Sequence, residues 1–261
     1  MINLLDNLRS VAVEPNHLAV CSLGQAGYIY KTSEGQYIVI DPYLTDFCEH
    51  RIGLAFKRLM PALIDPAELE ALPLTAYLMT HHHEDHLDVE LIEALSVVDF
   101  PFYAPPQTIG ILVELGVAAE RCQPLLKSSI SYEIAGVSIH SVFADHGDIA
   151  PDAVGIIVQS QGKTIYHMGD TCLREAEFQE IANRFEIDLL ILPINGKYGN
   201  MNEADAVKAI SILKPKYAVP CHFWMLPGNS GGDPVVFLEG VKQAVPDTEA
   251  LLFKMGEIFV V

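Results

Sequence analysis

The stretch Thr80-His81-His82-His83-Glu84-Asp85-His86 decides how this sequence folds around a site. It follows residues 75–79, an apolar run typical of a buried strand, and is therefore expected to form the loop at that strand's end. Loops held by rigid strands are where proteins place binding and catalytic groups. Imidazoles alternating with a carboxylate suit zinc, iron or manganese. The stretch therefore predicts a metal site at the mouth of a strand.

A histidine-rich surface run or a purification tag is the alternative interpretation. Tags lie at chain ends, whereas this stretch is internal and contains acids between the histidines. The stretch offers four ligand candidates: His81, His83, Asp85 and His86. His82 and Glu84 lie at the intervening positions and are expected to point away from a metal. His140 and His167 have no motif partner, so structural roles are expected for them.

Three more ligand candidates follow apolar runs: His146, Asp170 and His222. Taken singly, a histidine is often a hydrogen-bonded structural residue, and an aspartate before threonine often forms a turn. Taken together with the stretch, they complete a ligand set for two metal ions. We expect His81, His83 and His146 to hold one ion, Asp85, His86 and His222 to hold the other, and Asp170 to bridge them.

Length and composition are those of a globular protein. The chain has 261 residues, of which 50% are hydrophobic and 19% charged, as in folded rather than disordered proteins. A chain of this size buries about 70–75% of its unfolded surface. Neither a repeat nor a Gly/Ser/Pro linker divides the sequence, so a single domain over residues 1–261 is expected.

The charge balance bears on partners. Lys and Arg number 16 against 34 Asp and Glu, a net charge of −18, which opposes nucleic acid or an anionic membrane as the main partner. A small anionic substrate stays compatible with this charge, because bound metals dominate the local field.

No apolar run reaches the roughly 18 residues of a membrane span. The high apolar content is compatible with a homo-oligomer.

Cysteine usage favours a reducing compartment. The five cysteines are scattered and odd in number, with no C-x-x-C pair: Cys21, Cys48, Cys122, Cys172 and Cys221. This pattern argues against a disulfide framework. The first eight residues lack the basic and apolar regions of a signal peptide, so a cytoplasmic location is expected. Cys172 and Cys221 are interpreted as small buried residues and not as catalytic thiols.

The remaining sequence predicts a layered fold. Hairpins are expected at 28–32 with 36–40, 131–134 with 137–142, and 155–158 with 164–168. Further strands are expected at 18–23, 102–104, 188–192 and 217–220, and helices at 66–72, 88–95, 108–115 and 203–213. Gly116 is a predicted C-cap and Asn202 a predicted N-cap. Two β-rich halves, each followed by helices, predict a layered α/β or α+β sandwich.

These residues resemble the metallo-β-lactamase fold superfamily, whose loop signature is T-H-x-H-x-D-H. The signature matches Thr80, His81, His83, Asp85 and His86, and the family's later His, bridging Asp and final His match His146, Asp170 and His222. The resemblance covers residues 18–260. It implies an α+β fold, a four-layer αβ/βα sandwich with two mixed β-sheets flanked by helices. It also implies that Asp41 supports the site without binding metal.

A narrower resemblance is to the L-ascorbate-6-phosphate lactonase branch. It is carried by Asp41-Pro42-Tyr43-Leu44, Phe56-Lys57-Arg58, Pro193-Ile194-Asn195-Gly196 and Asn200-Met201-Asn202. The resemblance implies a metal-dependent sugar-lactone hydrolase, often associated with manganese. Four residues are substrate-contact candidates: Lys197, Asn195, Asn200 and Arg58. Lys197 lies in a glycine-rich turn before a helix, a place suited to anions, although an ordinary solvated lysine is an equal alternative.

The expected activity is hydrolysis by a hydroxide that bridges two divalent ions, zinc or manganese, with iron also compatible. Asp85 is expected to orient the nucleophile or take its proton, and either His222 or a metal-bound water to protonate the leaving group. The expected substrate is a lactone or related ester of a small sugar acid, with or without a phosphate. A phosphodiesterase acting on a small or cyclic phosphodiester is the first alternative. An iron-dependent oxidoreductase of the flavodiiron type is another, although that type has an acid where this chain has His83. A non-enzymatic binding protein is a last alternative.

Overall fold

Two seven-stranded sheets form the centre of the fold. The structure is a computed structural model that describes residues 3–95, 98–128 and 130–261, so Met1 and Ile2 of the N-terminal segment considered above lie outside it. In spatial order the first sheet contains β14 (Ile258–Val260), β1 (Leu18–Gly24), β2 (Gly27–Thr32), β3 (Tyr37–Ile40), β4 (Leu74–Leu78), β5 (Phe102–Ala104) and β6 (Cys122–Pro124). The second contains β13 (Glu249–Ala250), β12 (Tyr217–Cys221), β11 (Leu189–Pro193), β10 (Lys163–His167), β9 (Val154–Ser160), β8 (Val137–Phe143) and β7 (Ser131–Ile134).

Both sheets are mixed. In the first, β1, β2 and β3 pair antiparallel, whereas β3 through β6 run parallel. In the second, β7 through β10 pair antiparallel, whereas β10 through β13 run parallel. The predicted hairpins are therefore present, and each sheet passes into a parallel half whose strands end at a common edge.

Helices cover the outer face of each sheet. Those against the first sheet are α1 (Leu4–Ser10), α3 (Pro66–Glu70), α4 (Val89–Leu95) and α5 (Pro106–Glu114), and those against the second are α6 (Glu175–Ala182), α7 (Glu203–Leu213) and α8 (Pro234–Ala244). A short helix, α2 (Phe47–Ile52), and a 3-10 turn at Leu54–Phe56 occupy the polar segment after β3. The predicted α+β, four-layer αβ/βα sandwich is confirmed.

Side-chain alternation explains the layers. In β1, Leu18 and Val20 pack between the sheets, whereas Cys21 and Leu23 pack under the helices. Successive side chains of a strand point to opposite faces, and strands buried on both faces become apolar throughout. This is why central strands such as β3 and β11 are apolar at nearly every position. Strands fixed on both faces hold the loops at their ends rigidly.

Local signals set the helix ends. Asn202 caps α7 as predicted, its side chain accepting from Asp205 N at 3.0 Å in a capping box. Gly116 follows α5 with a φ of 93°, the left-handed conformation that ends helices. The helix predicted at 66–72 ends earlier, at Glu70, and the one predicted at 108–115 begins earlier, at Pro106.

All five cysteines are free, as the scattered spacing predicts. Within the described part of the chain, no helix has both the length and the apolarity that crossing a bilayer demands.

Candidate metal centre

The predicted ligands converge because the strands before them end at one edge of the sandwich. Asp41 follows β3, and the histidine-rich stretch follows β4, which runs parallel to β3. His146, Asp170 and His222 follow β8, β10 and β12, which share one direction in the second sheet. Where the two edges meet, Val154 N donates to Thr80 O at 3.0 Å. Both sheets thus contribute ligands to one place.

One group of ligands consists of three imidazoles. His81 Nε2 lies 3.0 Å and His146 Nε2 lies 3.2 Å from His83 Nδ1. The other ring nitrogens are turned to the protein, since His83 Nε2 is 3.2 Å from Ile149 O and His81 Nδ1 is 3.1 Å from Thr80 Oγ1. These three nitrogens are brought together as one candidate metal position.

The second group joins Asp85, His86 and His222. His222 Nε2 lies 2.9 Å from Asp85 Oδ2, and His86 Nε2 lies 3.9 Å from the same oxygen. All three side chains are buried. The group matches the second set expected from the sequence.

Asp170 lies between the two groups. Its Oδ1 is 3.4 Å from His86 Nε2, and its Oδ2 is 3.5 Å from His146 Nε2 and 3.3 Å from His222 Nε2. Asn200 donates to Asp170 Oδ2 at 2.8 Å. The carboxylate therefore has the position of a bridging ligand, and Asn200, expected as a substrate contact, holds it there.

The donor set fits a divalent metal ion. Ligand atoms about 2.0–2.1 Å from a tetrahedral ion lie roughly 3.3–3.4 Å from one another, and the contacts around Asp170 run from 3.3 to 3.5 Å. His86 Nε2 and Asp170 Oδ1 are buried without a hydrogen-bond partner. Buried polar atoms without partners are costly, and a cation between them removes that cost.

The two groups differ in protonation. Burial, reinforced by the neighbouring imidazoles, holds the pKa of His81 well below its usual value and lowers the pKa of His146 to about 4. Burial also opposes the charge on His86, but Asp170 and Asp85 prevail and raise its pKa. Burial opposes the charge on Asp85 too, but His86 and His222 keep its pKa low. His81 and His146 are therefore neutral, whereas a metal that enters the group of Asp85, His86 and His222 displaces protons.

Asp41 orients the ligands from behind. Its Oδ1 accepts from Thr80 N at 2.8 Å, and its Oδ2 accepts from Thr80 Oγ1 at 2.5 Å and lies 2.7 Å from His86 Nδ1. A proton held on His86 Nδ1 leaves Nε2 free for a metal. Asp41 and His222 have φ of 44° and 60°, a left-handed conformation uncommon outside glycine. Both turn directly after a strand into the site.

Two residues at the site have no counterpart in the sequence analysis. Gln25 Nε2 donates to Asp85 Oδ2 at 2.7 Å, and Asn229 Nδ2 donates to the same oxygen at 3.2 Å. Asn195, expected as a substrate contact, donates to Asn229 O at 3.2 Å and to Asn229 Oδ1 at 3.0 Å. Asn195 therefore supports Asn229. Gln25 and Asn229 belong to no motif, and the sequence signals that mark their loops are the glycines directly before them, Gly24 and Gly228.

The two cationic substrate-contact candidates lie away from the ligands. Arg58 is buried, and its Nη1 donates to Tyr43 O at 2.7 Å and to Thr45 O at 3.2 Å. Lys197 is exposed. Neither lines the cleft above the ligands. The structure brings Asn195 and Asn200 to the site as supports and leaves Arg58 and Lys197 outside it.

The other histidines near the motif are not among the grouped ligands. His82 belongs to none of these groups. His140 Nε2 lies 3.0 Å from Gln159 Oε1. His167 Nδ1 accepts from Gly169 N at 3.1 Å, and its Nε2 lies 2.8 Å from Ala26 O. These contacts tie His140 and His167 to the surrounding sheet.

A cleft of about 460 Å³ opens above the ligands. Its floor includes His83, Asp85, His146 and Asp170, and its walls are formed by Ile52, Phe56, Ile149, Tyr198, Glu84 and Asn229. His222 lies below the floor and does not line the cleft. A substrate entering here meets Asp85 before it meets His222.

The chain is similar in sequence to one group of known proteins. A family model described as a beta-lactamase superfamily domain matches residues 36–223. This chain belongs to the metallo-β-lactamase superfamily. Within the superfamily it also belongs with the UPF0173 metal-dependent hydrolases, because one from Cupriavidus metallidurans is 32% identical over 243 residues, which cover 82% of this chain and 75% of that protein.

Solved structures agree with the superfamily fold. Igni18, described as a novel metallo hydrolase from Ignicoccus hospitalis, superposes with a TM-score of 0.74 at 23% identity, covering 94% of this chain and 98% of that one. An isothiocyanate hydrolase from Delia radicum gut bacteria superposes with a TM-score of 0.75 at 21% identity, covering 92% and 98%. At these identities the likeness concerns the fold.

Proposed function

We propose that this superfamily member is a two-metal hydrolase that opens a lactone or a related carboxylic ester. The observation that carries the proposal is the pairing of the ligand cluster with a cleft whose lining residues include neither Lys nor Arg. A phosphodiester is already anionic, and enzymes that cleave phosphoryl groups commonly add Arg or Lys clamps to their metals. A neutral carbonyl does not need such a clamp.

The metals would be held by the two ligand groups, with Asp170 between them. Zinc and manganese both suit a set of imidazoles and carboxylates. When bound, two divalent ions supply an activated water and a Lewis acid for the carbonyl oxygen.

Asp85 is the residue of this chain proposed to move the proton. It lines the cleft, and the amides of Gln25 and Asn229 fix its Oδ2 by hydrogen bonds of 2.7 and 3.2 Å. The carboxylate takes the proton that water loses on attack and returns it to the alkoxide when the C–O bond breaks. His222 was the other candidate for the leaving group, but it lies beneath the cleft floor.

Turnover of matched substrates tests the proposal. Metal-reconstituted protein is assayed on sugar lactones with and without a phosphate, on simple carboxylic esters, and on bis-p-nitrophenyl phosphate. Hydrolysis of the lactones or esters is expected, and hydrolysis of the diester alone would establish the phosphodiesterase instead. Elemental analysis of the same sample gives metal identity and count, and two ions per chain are expected.

A pair of adjacent histidines provides the control. His83→Ala removes the nitrogen at the centre of the imidazole group and should abolish both metal binding at that position and activity. His82→Ala changes a neighbour that belongs to no ligand group and should leave both nearly unchanged. Full activity in His83→Ala would refute the site assignment.

A further inference from the structure

The walls of the cleft are apolar although its floor is polar. Ile52 is 47% exposed, Ile149 is 49% exposed and Tyr198 is 55% exposed, and the half-buried Phe56 completes the walls. Large apolar side chains exposed together beside convergent polar groups are typical of ligand sites. We refer to Ile52, Phe56, Ile149 and Tyr198 as the apolar walls.

Two of the apolar walls, Phe56 and Tyr198, lie against the backbone of one loop. Gly228 N donates to Ala55 O at 2.6 Å, and Tyr198 Oη donates to Gly228 O at 3.2 Å. A Cβ at Gly228 would lie 2.9 Å from both Ala55 O and the Phe56 ring, so glycine permits this approach. Tyr198 has a φ of 54°, which sets its ring against the same loop. Phe56 and Tyr198 are thus preorganised, which lowers the entropic cost of binding.

The charged residues around the cleft disfavour a substrate that carries an anionic group at a distance from its reacting carbonyl. Glu84 lines the cleft and lies 4.0 Å from Arg51, which is not a lining residue. Arg58 donates to backbone carbonyls, and Lys197 lies outside the cleft. A second carboxylate or a phosphate on the substrate would face Glu84 and apolar side chains, and the Arg51 guanidinium beside Glu84 is already paired with that carboxylate, so its burial there is costly.

We propose that the substrate carries an uncharged apolar group, a short alkyl chain or a single ring, that lies on the apolar walls while its carbonyl meets the ligand cluster. The inference rests on the proposed function and narrows its substrate class away from phosphorylated sugar acids. Burial of one methylene group stabilises the complex by roughly 0.8 kcal/mol. Each methylene of the substrate that is buried on the apolar walls should therefore raise kcat/KM about fourfold.

Chain length and charge are varied separately to test this. The p-nitrophenyl esters of acetate, butyrate and hexanoate extend the apolar group, and the monoanionic adipate ester has the same six carbons as hexanoate with a carboxylate in place of the terminal methyl group. We expect kcat/KM to rise from acetate to hexanoate and to fall at least tenfold for adipate. Equal rates along the series, or adipate hydrolysed as fast as hexanoate, would overturn the inference.

Variants of the walls test whether those residues carry the preference. Phe56→Ala and Ile149→Ala should flatten the rise from acetate to hexanoate, mainly through KM. Leu54→Ala is the matched control, because Leu54 is 73% exposed on the same segment and does not line the cleft. Ile149→Ala, at an exposed position, keeps the test valid should Phe56→Ala fail to fold. An unchanged series in Ile149→Ala and in folded Phe56→Ala would contradict the assignment of the walls.

A binding measurement separates this inference from the proposed function. Hydrolysis of esters without length preference would overturn the inference alone. If no ester is hydrolysed, the proposed function fails, and binding of 1-hexanol against ethanol, followed by ligand-observed NMR, still decides on the walls. Preferential binding of 1-hexanol that is weakened by Ile149→Ala would support them, and equal or absent binding would reject them.

Discussion

The substitution Asp41→Asn tests how a carboxylate behind the ligands controls metal binding. The Asp41 carboxylate accepts from Thr80 N and Thr80 Oγ1 and lies 2.7 Å from His86 Nδ1. An asparagine has the same shape but only one acceptor oxygen. If that oxygen stays with Thr80 N, the amide N–H faces His86 Nδ1. Either this amide N–H and the proton on His86 Nδ1 then face each other as two donors, or the His86 proton moves to Nε2. Nε2 is the nitrogen that faces Asp170.

Two magnitudes follow from this conflict. One buried donor without a partner costs about 1–3 kcal/mol, so metal-free Asp41→Asn should unfold about 4–8 °C lower for a loss near 2 kcal/mol. Loss of a residue that orients a ligand weakens metal binding about 10–100-fold. The weaker metal binding should concern the group of Asp85, His86 and His222, because His86 is the ligand of this group that contacts Asp41.

Calorimetric metal titration and thermal unfolding in chelator measure the two effects independently. Asp46→Asn removes the same charge at an exposed position five residues away and should change neither. Wild-type metal affinity in a folded Asp41→Asn protein would refute the role of Asp41 in setting the His86 tautomer.

Three further outcomes are expected. Gly169→Ala should lower metal content and stability, because its Cβ would lie 2.8 Å from Thr80 Cβ at a φ of 62°; elemental analysis and thermal unfolding measure this. Burial lowers the pKa of His167 below 6.5, so its contribution to stability is complete above the unfolded pKa and is lost as pH falls through the folded pKa. His167→Gln should therefore flatten the decline in denaturant stability as pH falls below 6.5, and an unaltered slope would contradict this. Arg58→Lys should lower the free energy of unfolding by about 1–3 kcal/mol without raising KM for hexanoate, whereas a raised KM would make it a substrate contact.

Much of the ligand set could be read from the sequence because its signals are local. The stretch from Thr80 to His86 is contiguous, and each later ligand follows the end of a strand, β8, β10 or β12. Strands buried on both faces are apolar throughout, so their ends are visible in the sequence. The cap at Asn202 is equally local, because a capping box spans four residues.

The anionic-substrate contacts show where such reasoning fails. Lys197 lies in a glycine-rich turn, and Arg58 lies in a polar segment near the site in sequence, but neither feature determines which way a side chain points. The Arg58 guanidinium is buried beside Tyr43, with its centre 4.9 Å from the ring. Burial and backbone carbonyls decide its direction, and both arise only after the loop packs.

The sequence by itself determined the candidate ligands, the sheets that present them and the superfamily, because these depend on residue type and on spacing along the chain. Only the tertiary structure decided which groups surround Asp85. Gln25 lies 60 residues before it and Asn229 lies 144 residues after it, and both donate to the same oxygen. The apolar walls likewise join a segment before the histidine-rich stretch to loops after β8 and β11. Such neighbours are set by how two sheets pack, and packing leaves no short pattern in the chain.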